Sequence, residues 1–482
     1  MLRRPVFRLA IVACSIASTG AAQRTDARIA KLKALMGAYA SLGDISGVVL
    51  VAERGRVLMR RAVGYSDREF DITARPEHRF VIGSITKGFT AVLTLQQVAR
   101  GRIALDTPVV RYWPEFPDPS NGDITIRHLL THRSGFKHWG AVQGFFDGAA
   151  RMPQSQADVI RLYAAKGLTF PPGTREDYSS IGYMILGVVL EKVTGTPFGT
   201  LLQKEIFEPA RMTSSSLDDA VSILPGRARP YRYNFLEARY DNAEQRDPST
   251  TWSTGGVVTT VDDLLRWSEA LSSNTLLPDS LRALIFDRRE GDAWYGWRID
   301  SLPGGVRSFW HVGLETGFRS QIVRIPSRGQ TIVVLGNVRD LDTDRISQRI
   351  LKILAGGSPD LPKRSIAKAL YRAARAAGGD SAAALFRMLV RRPQEYDTTQ
   401  TQALIAAIEL RSDKACDRAA PVYEAWLDVY PESRGRITAL IGAADCRLLL
   451  GNAEKARAHV ERLAQLDPTN TNLAELRRRL AR

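Results

Sequence analysis

The stretch Phe80-Val-Ile-Gly-Ser-Ile-Thr-Lys87 contains a serine and a lysine three residues apart. Residues at this spacing lie on one face of a helix, so the Lys87 amine can reach the Ser84 hydroxyl and remove its proton. The apolar spacing of Gly88–Ala99 is helical, which predicts that Ser84 begins a helix. There, unpaired backbone N–H groups and the helix dipole favour an alkoxide or a nearby oxyanion. The pair is therefore a candidate for nucleophilic catalysis.

The same spacing occurs at Ser134/Lys137 and at Ser365/Lys368. Ser134 precedes a glycine in a predicted loop, and Ser365 lies in a basic helix beyond a predicted linker. Neither has suitable partner residues, so Ser84 is the predicted nucleophile. The alternative for Ser84 is a simple helix cap.

Two further motifs supply candidate partners for this pair. Tyr178 carries a phenol whose proton loss a neighbouring lysine ammonium would ease, so it is the candidate acid–base group. His311 can donate to a substrate carbonyl or carboxylate. A packing role is the alternative for Tyr178, and a structural one for His311.

The residues that follow His311 are candidates for substrate binding. The backbone N–H groups of Leu314 and Ser84 would form an oxyanion pocket. Gly313 would let the substrate approach the strand closely.

Three histidines, His128, His132 and His138, resemble a metal cluster only superficially. Their spacing matches no zinc pattern and no acidic partner accompanies them. The sequence therefore predicts structural roles for them, with no metal and no cofactor.

The first 22 residues have the composition of a secretory signal. Arg3, Arg4 and Arg8 precede the apolar run Leu9–Ser18, and small residues end at Ala22. This predicts a periplasmic or secreted protein, with lipid attachment at Cys14 as the less favoured alternative. No later stretch reaches the roughly 18 apolar residues of a spanning helix, so no transmembrane segment is expected in the mature chain.

The length of 482 residues bears on the number of folded units, and the formal net charge of +16 bears on which partners the protein binds. The length exceeds one ordinary core, so two folded units are expected. The basic excess is spread along the chain without a nucleic-acid-binding signature, so no nucleic acid partner is predicted.

Glycine, serine and proline interrupt the pattern at 355–362, which predicts a domain at 23–356, a linker at 357–362 and a helical domain at 363–482. Strands are predicted over Ile45–Ala52, Arg56–Gly64, Ser308–His311, Gln321–Ile325 and Thr331–Gly336, and a helix over Asp344–Leu354. Strands at both ends with helices between them indicate an antiparallel sheet covered by helices.

The helical domain resembles tetratricopeptide repeats over about two units, on the positions of Leu440, Ala444, Ala456 and Pro468. So few repeats cannot bury a continuous core, so this segment is expected to pack on the first domain or to bind a protein partner. On that alignment Cys416 and Cys446 lie on adjacent helices. Both a disulfide and two buried thiols remain open.

Six ordered motifs across residues 27–355 together resemble the family of serine hydrolases built like class C β-lactamases and low-molecular-mass penicillin-binding proteins. They are Phe80–Lys87, Ile124–Gly135, Pro172–Tyr178, Gly182-Tyr183, Ser253–Gly256 and His311–Gly313. The resemblance implies an α+β fold, with an antiparallel sheet between helical layers and a helical subdomain. It also implies that Ser84 forms an acyl-enzyme and that Lys87 and Tyr178 move protons. His311 would stand where many relatives have lysine.

Two departures from the family pattern favour ester or small-amide substrates over β-lactams. The family's Tyr-x-Asn is here Tyr178-Ser-Ser180, so the substrate-binding amide is replaced by the short hydroxyl of Ser180. His-Val-Gly in place of Lys-Thr-Gly looks more like the esterase and peptidase relatives. We therefore expect hydrolysis of an ester, or of a small amide or D-amino-acid peptide. The alternatives are a β-lactamase or D-alanyl-D-alanine carboxypeptidase, and an inactive binding protein that uses the helical tail.

Overall fold

The computed structural model describes residues 27–43, 45–120, 122–146, 148–234, 239–287, 295–433, 435–468, 470 and 472–481. The chain forms two compact units: one runs to Arg232 and continues over Asn242–Asp360, and the other comprises Tyr233–Asp241 and Leu361–Arg482. The division after Asp360 falls inside the predicted linker, whereas the grouping of 233–241 with the second unit was not predicted. The predicted signal segment and Cys14 lie outside the described residues.

The strands of the described chain are β1 Gly47–Glu53, β2 Arg56–Val63, β3 Tyr65–Asp67, β4 Ile72–Thr73, β5 Phe80–Val81, β6 Ser216–Leu217, β7 Tyr231–Asn234, β8 Arg239–Asn242, β9 Val257–Thr259, β10 Arg298–Leu302, β11 Val306–Glu315, β12 Phe318–Ile325, β13 Gln330–Gly336, β14 Arg364–Ser365 and β15 Tyr396–Asp397. Six of them form an antiparallel sheet at the centre of the first unit, in the order β10-β11-β12-β13-β1-β2. The predicted strands match β1, β2 and β11 to β13. The sequence missed β10 and the short strands.

Helices cover the sheet and build the second unit. They are α1 27–42, α2 Thr86–Ala99, α3 Ile126–Leu130, α4 Gln156–Ala164, α5 Ser180–Thr194, α6 Phe198–Leu202, α7 Trp252–Gly255, α8 Val261–Ala270, α9 Asp279–Phe286, α10 Thr343–Leu354, α11 Ile366–Ala377, α12 Gly379–Leu389, α13 Gln400–Ser412, α14 Cys416–Val429, α15 Arg436–Leu449, α16 Ala453–Leu466 and α17 Leu473–Leu480. Short 3-10 turns include Gly83–Ile85, Trp139–Ala141 and Pro248–Thr250, and α6 continues into a π-helical turn over Gln203–Phe207.

Both faces of the central sheet are buried, which gives the predicted α/β/α layering. Because side chains alternate along a strand, Val49 and Val51 of β1 pack with α1 and α10, in a core that includes Leu35 and Ile350. Leu50 faces the opposite way, into the larger core that contains α2, α5 and α8. The continuous apolar sequence of β1 follows from this double burial.

The second unit contains three helix pairs whose first helices begin at Ile366, Gln400 and Arg436, followed by α17. Buried residues from Ile366 to Leu476 form one continuous hydrophobic cluster. The sequence resemblance covered about two repeats because it missed the pair α11 and α12, and with that third pair the segment has a hydrophobic core of its own.

A disulfide joins Cys416, the first residue of α14, to Cys446 of α15. Of the two alternatives, the structure therefore has the bridge rather than two thiols. The two cysteines are separated by 30 positions in the sequence, so the bond closes a loop of moderate length in the unfolded chain.

Removing this disulfide should lower the free energy of unfolding of the second unit by about 3 kcal/mol, because the unfolded chain regains the entropy of an open loop. Urea titration of Cys416→Ser/Cys446→Ser against the wild type, followed by hydrogen exchange in α14 and α15, measures the change. Exchange in the sheet of the first unit serves as the internal control. If both thiols of the denatured, unreduced wild type react with iodoacetamide, the bridge is absent.

Candidate active site

Ser84 and Lys87 are brought together where a 3-10 turn leads into α2. Ser84 lies in the turn Gly83–Ile85, and α2 begins at Thr86, so the predicted helix start is displaced by two residues. Lys87 Nζ lies 3.0 Å from Ser84 Oγ and donates to the Thr254 carbonyl oxygen at 2.8 Å. The lysine side chain is fully buried. The amine is therefore fixed beside the hydroxyl by a backbone oxygen.

The motif Ser253–Gly256 covers most of the one-turn helix α7 and the residue after it, and this segment holds the start of α2. Thr90 Oγ1 donates to the Ser253 carbonyl oxygen at 2.6 Å, and the Val257 N–H donates to Thr86 Oγ1 at 3.1 Å. With the Lys87–Thr254 bond, these contacts fix the direction of the Lys87 side chain.

The turn that carries Ser84 lies directly against β11. Gly83 has φ +52°, and a Cβ there would lie 2.7 Å from the Leu314 nitrogen. A Cβ on Gly313 would lie 1.8 Å from the Ile82 carbonyl oxygen, which also accepts from Ser320 Oγ at 2.7 Å. The predicted reason for Gly313 is therefore wrong: its missing side chain makes room for the nucleophile turn rather than for substrate.

Tyr178 and His311 converge on the same point. The Tyr178 ring centroid lies 5.2 Å from Lys87 Nζ and 6.4 Å from the His311 ring. His311 is buried in β11, and its Nδ1 lies 2.6 Å from the Val312 carbonyl oxygen. The structure therefore brings together all four residues that the sequence singled out as catalytic.

His132 and His138 flank Tyr178, with ring centroids 4.5 and 5.2 Å from the tyrosine ring. His132 Nδ1 accepts from the Ser179 N–H at 3.1 Å, and His138 Nδ1 accepts from the Ser180 N–H at 3.3 Å. These two N–H groups belong to the start of α5, where no intrahelical partner exists. The two histidines therefore fix the backbone that positions Tyr178.

The structure separates the three histidines that the sequence grouped together. His128 completes a capping box with Thr125 at the start of α3, so its predicted structural role is confirmed. His138 also has a structural contact, through the Ser180 N–H, and in addition it lines a cavity above Ser84. The sequence offered one indication of the contact with Tyr178: His132 and His138 lie in the segment that precedes the Pro172–Tyr178 motif. Among the described residues, no group of three or more metal-binding side chains occurs.

Burial and the positive charge of Lys87 keep the surrounding histidines neutral. They lower the pKa of His138 to about 4 and that of His311 to about 3, where Arg298 also contributes. Burial, Lys87 and His311 lower the pKa of His132 well below its usual range. A neutral imidazole supplies one donor and one acceptor instead of a charge. At neutral pH His311 therefore acts as an uncharged hydrogen-bonding group, which is compatible with its predicted role as a donor to substrate.

The neutral state of His311 should make the fold sensitive to acid. The unfolded chain binds a proton near pH 6.5 and the folded chain does not until about pH 3, so stability falls as pH drops through this window. The expected loss is about 1.4 kcal/mol per pH unit for this group. Urea unfolding between pH 7.5 and 4.5 should show a shallower loss for His311→Gln than for the wild type, whereas parallel curves would contradict this assignment.

A cavity of about 510 Å³ opens above this cluster. Its lining includes Ser84, Tyr178, His138 and His311 together with Ser180 and Leu314, the two other predicted substrate-binding residues that reach it. Trp139, Phe146 and Trp310 provide aromatic surface. Four arginines and two glutamates also line the cavity: Arg232, Arg246, Arg298, Arg339, Glu244 and Glu315. The cavity therefore combines apolar walls with an excess of positive charge.

The Beta-lactamase family model matches residues 30–357. The chain belongs to the β-lactamase family of serine hydrolases. It is 32% identical to Esterase EstB of Burkholderia gladioli over 268 residues, which is 49% of this chain and 68% of the esterase. It is 28% identical to a D-aminopeptidase of Gluconobacter oxydans over 350 residues, covering 71% and 65% of the two chains. Among solved structures, an octameric penicillin-binding protein homologue from Pyrococcus abyssi superposes with a TM-score of 0.61 at 25% identity, covering 71% of this chain and 81% of the other.

The other two serine–lysine spacings of this β-lactamase family member form no comparable pair. Ser365 Oγ caps α11 by accepting from the Lys368 backbone N–H, and Lys137 Nζ donates to the Lys166 carbonyl oxygen. In the part of the chain that the structure describes, no single helix has the length and apolar composition to span a bilayer. The helices over Ser180–Thr194 and Phe198–Phe207 reach that length only together, and they meet at an 83° bend.

Proposed function

We propose that the chain hydrolyses small carboxylic esters through an acyl-enzyme on Ser84. The observation that supports this is the 3.0 Å contact between Ser84 Oγ and the buried amine of Lys87, below a cavity that Tyr178 also lines. In this mechanism Lys87 acts as the neutral amine: it accepts the hydroxyl proton and becomes an ammonium while Oγ attacks the ester carbonyl. The alkoxide leaves with a proton from the Lys87–Tyr178 pair, and water then hydrolyses the acyl-serine by the reverse proton path.

The backbone N–H groups of Ser84 and Leu314 are the proposed oxyanion donors. The tight packing of Gly83 against Leu314 brings these two backbone segments side by side. Fixed donors at this point would stabilise the tetrahedral intermediate without reorganisation. His311, being neutral, would orient the substrate by a hydrogen bond.

The choice of esters over acylamides rests on Ser180. This residue begins α5, is almost completely buried, and has a hydroxyl where an amide would reach further into the cavity. An ester is cleaved more readily than an amide, because an alcohol is a better leaving group than an amine. An ester therefore depends less on a hydrogen bond from a side-chain amide of the enzyme. The similarity to Esterase EstB supports the same choice.

A second candidate is hydrolysis of short D-amino-acid peptides, favoured by the arginines of the cavity. Four arginines against two glutamates would attract an anionic group such as a terminal carboxylate. The similarity to a D-aminopeptidase accords with this candidate.

A turnover panel with short-chain nitrophenyl esters, D-alanyl peptides and a chromogenic cephalosporin distinguishes the candidates. We expect the esters to rank first, with labelling of Ser84 by a fluorophosphonate and none in Ser84→Ala. If peptides or the cephalosporin rank first, the second candidate or the β-lactamase alternative replaces the ester. An unreactive wild type would favour an inactive binding protein.

We further propose that the chain is exported to the periplasm or secreted, and that the tetratricopeptide-like second unit binds a protein partner. The composition of residues 1–22 supports export. The helix pairs of the second unit, with their own core, support a binding module. Amino-terminal sequencing of the fractionated protein tests the first proposal. Cross-linking the full chain in cells, with and without residues 363–482, tests the second.

A further inference from the structure

His138 is a cavity-lining residue that the proposed mechanism does not use. Its ring lies edge-on to Tyr178, with 5.2 Å between centroids and 74° between planes. Nδ1 accepts the hydrogen bond from the Ser180 N–H, so the proton of the neutral ring must lie on Nε2. The Ser180 contact therefore selects one tautomer.

The remaining ring nitrogen is available to a ligand. No residue that the structure describes forms a hydrogen bond with Nε2. Burial and the charge of Lys87 lower the pKa of His138 to about 4, which keeps the ring neutral under ordinary conditions. The cavity therefore contains a fixed N–H donor without a positive charge.

The donor also lines the same cavity as the nucleophile. Lys87 Nζ and the His138 ring each lie 5.2 Å from the centre of the Tyr178 ring, so Tyr178 contacts both. Ser84, Tyr178 and His138 line one cavity, so an acyl group on Ser84 would share that cavity with the His138 ring. Ser180, whose N–H holds the imidazole, lines the same cavity.

We propose that His138 is a substrate-binding residue whose Nε2–H donates to a carbonyl oxygen on the acyl chain of the substrate. The inference rests on the proposed acyl transfer at Ser84 and names the substrate class more closely: acyl groups that carry a ketone or amide carbonyl a few bonds from the scissile carbonyl. In this role the imidazole donates from the cavity wall beside Ser180, whose N–H fixes its orientation.

Three nitrophenyl esters with acyl chains of equal length test this role: pentanoate, 4-oxopentanoate and N-acetylglycinate. The first has no second carbonyl, the second adds only an acceptor, and the third adds an amide. We expect the wild type to show a higher kcat/KM for the two carbonyl-bearing esters, after subtraction of spontaneous hydrolysis. His138→Phe should reduce this preference by roughly three- to tenfold, the range of one neutral hydrogen bond.

His138→Gln should restore part of the preference, because its amide can accept from Ser180 and donate to the substrate. His78→Gln, in a loop outside the cavity, is the matched control and should leave all three rates unchanged. An equal loss on all three esters in His138→Phe would show a structural role and overturn the inference, as would an unchanged preference. If Ser84→Ala hydrolyses pentanoate as fast as the wild type, the proposed function itself fails, and this inference with it.

Discussion

Lys87→Ala is expected to lose acyl transfer about as completely as Ser84→Ala, by roughly 10³-fold or more in kcat/KM, because the two residues act as a unit. The variant removes the amine whose Nζ lies 3.0 Å from Ser84 Oγ and which is the proposed acceptor of its proton. The serine would then react as an ordinary alcohol. Stopped-flow turnover of a nitrophenyl ester and the rate of fluorophosphonate labelling both measure the loss.

Truncating a buried side chain also changes stability, so a second variant is needed. Lys87→Met fills a similar volume without a polar group, so it should fold at least as well as the alanine variant and be equally inactive. Lys368→Ala, the lysine of another serine–lysine spacing, lies in the second unit and should retain full activity. If folded Lys87→Met keeps most of the labelling rate, another group is the base.

The parts of the site that follow from local pattern could be predicted from the sequence. The three-residue spacing placed Ser84 and Lys87 together because one helical turn determines that geometry. The alternation and turn residues of the amino-terminal hairpin gave β1 and β2 within two residues. Tyr178 and His311 required the family resemblance, since only the fold brings residues so far apart in sequence to the same point.

What the sequence could not show are contacts that depend on the packing of distant segments. His138 and His128 were given the same structural role, because the sequence does not show that one also lines the cavity and the other caps α3. The neutral state of His311 could not be predicted either, because burial beside Lys87 is a property of the folded site. The assignment of Gly313 failed for the same reason: the sequence shows a glycine in a strand but not which backbone lies against it.

Gly313→Ala is expected to damage the site although it adds one methyl group at a position that carries no reacting atom. The new Cβ would lie 1.8 Å from the Ile82 carbonyl oxygen and 2.3 Å from Ser320 Oγ. Ile82 cannot move freely, since its N–H donates to the Val257 carbonyl oxygen at 3.0 Å and its own carbonyl accepts from Ser320. Ile82 directly precedes the turn that carries Ser84, so relief of the clash must displace the nucleophile.

A displacement of about 1 Å in a reacting group typically costs about 10²-fold in rate, and overpacking costs about 1–3 kcal/mol of stability. Gly313→Ala should therefore show both losses, in ester turnover and in urea unfolding. Gly37→Ala is the matched control: this glycine lies exposed in α1 with nothing within 4 Å of its Cβ position. It should gain about 0.5–1 kcal/mol from helix propensity and keep its activity. Wild-type turnover in Gly313→Ala would mean that the nucleophile turn does not depend on its packing against β11.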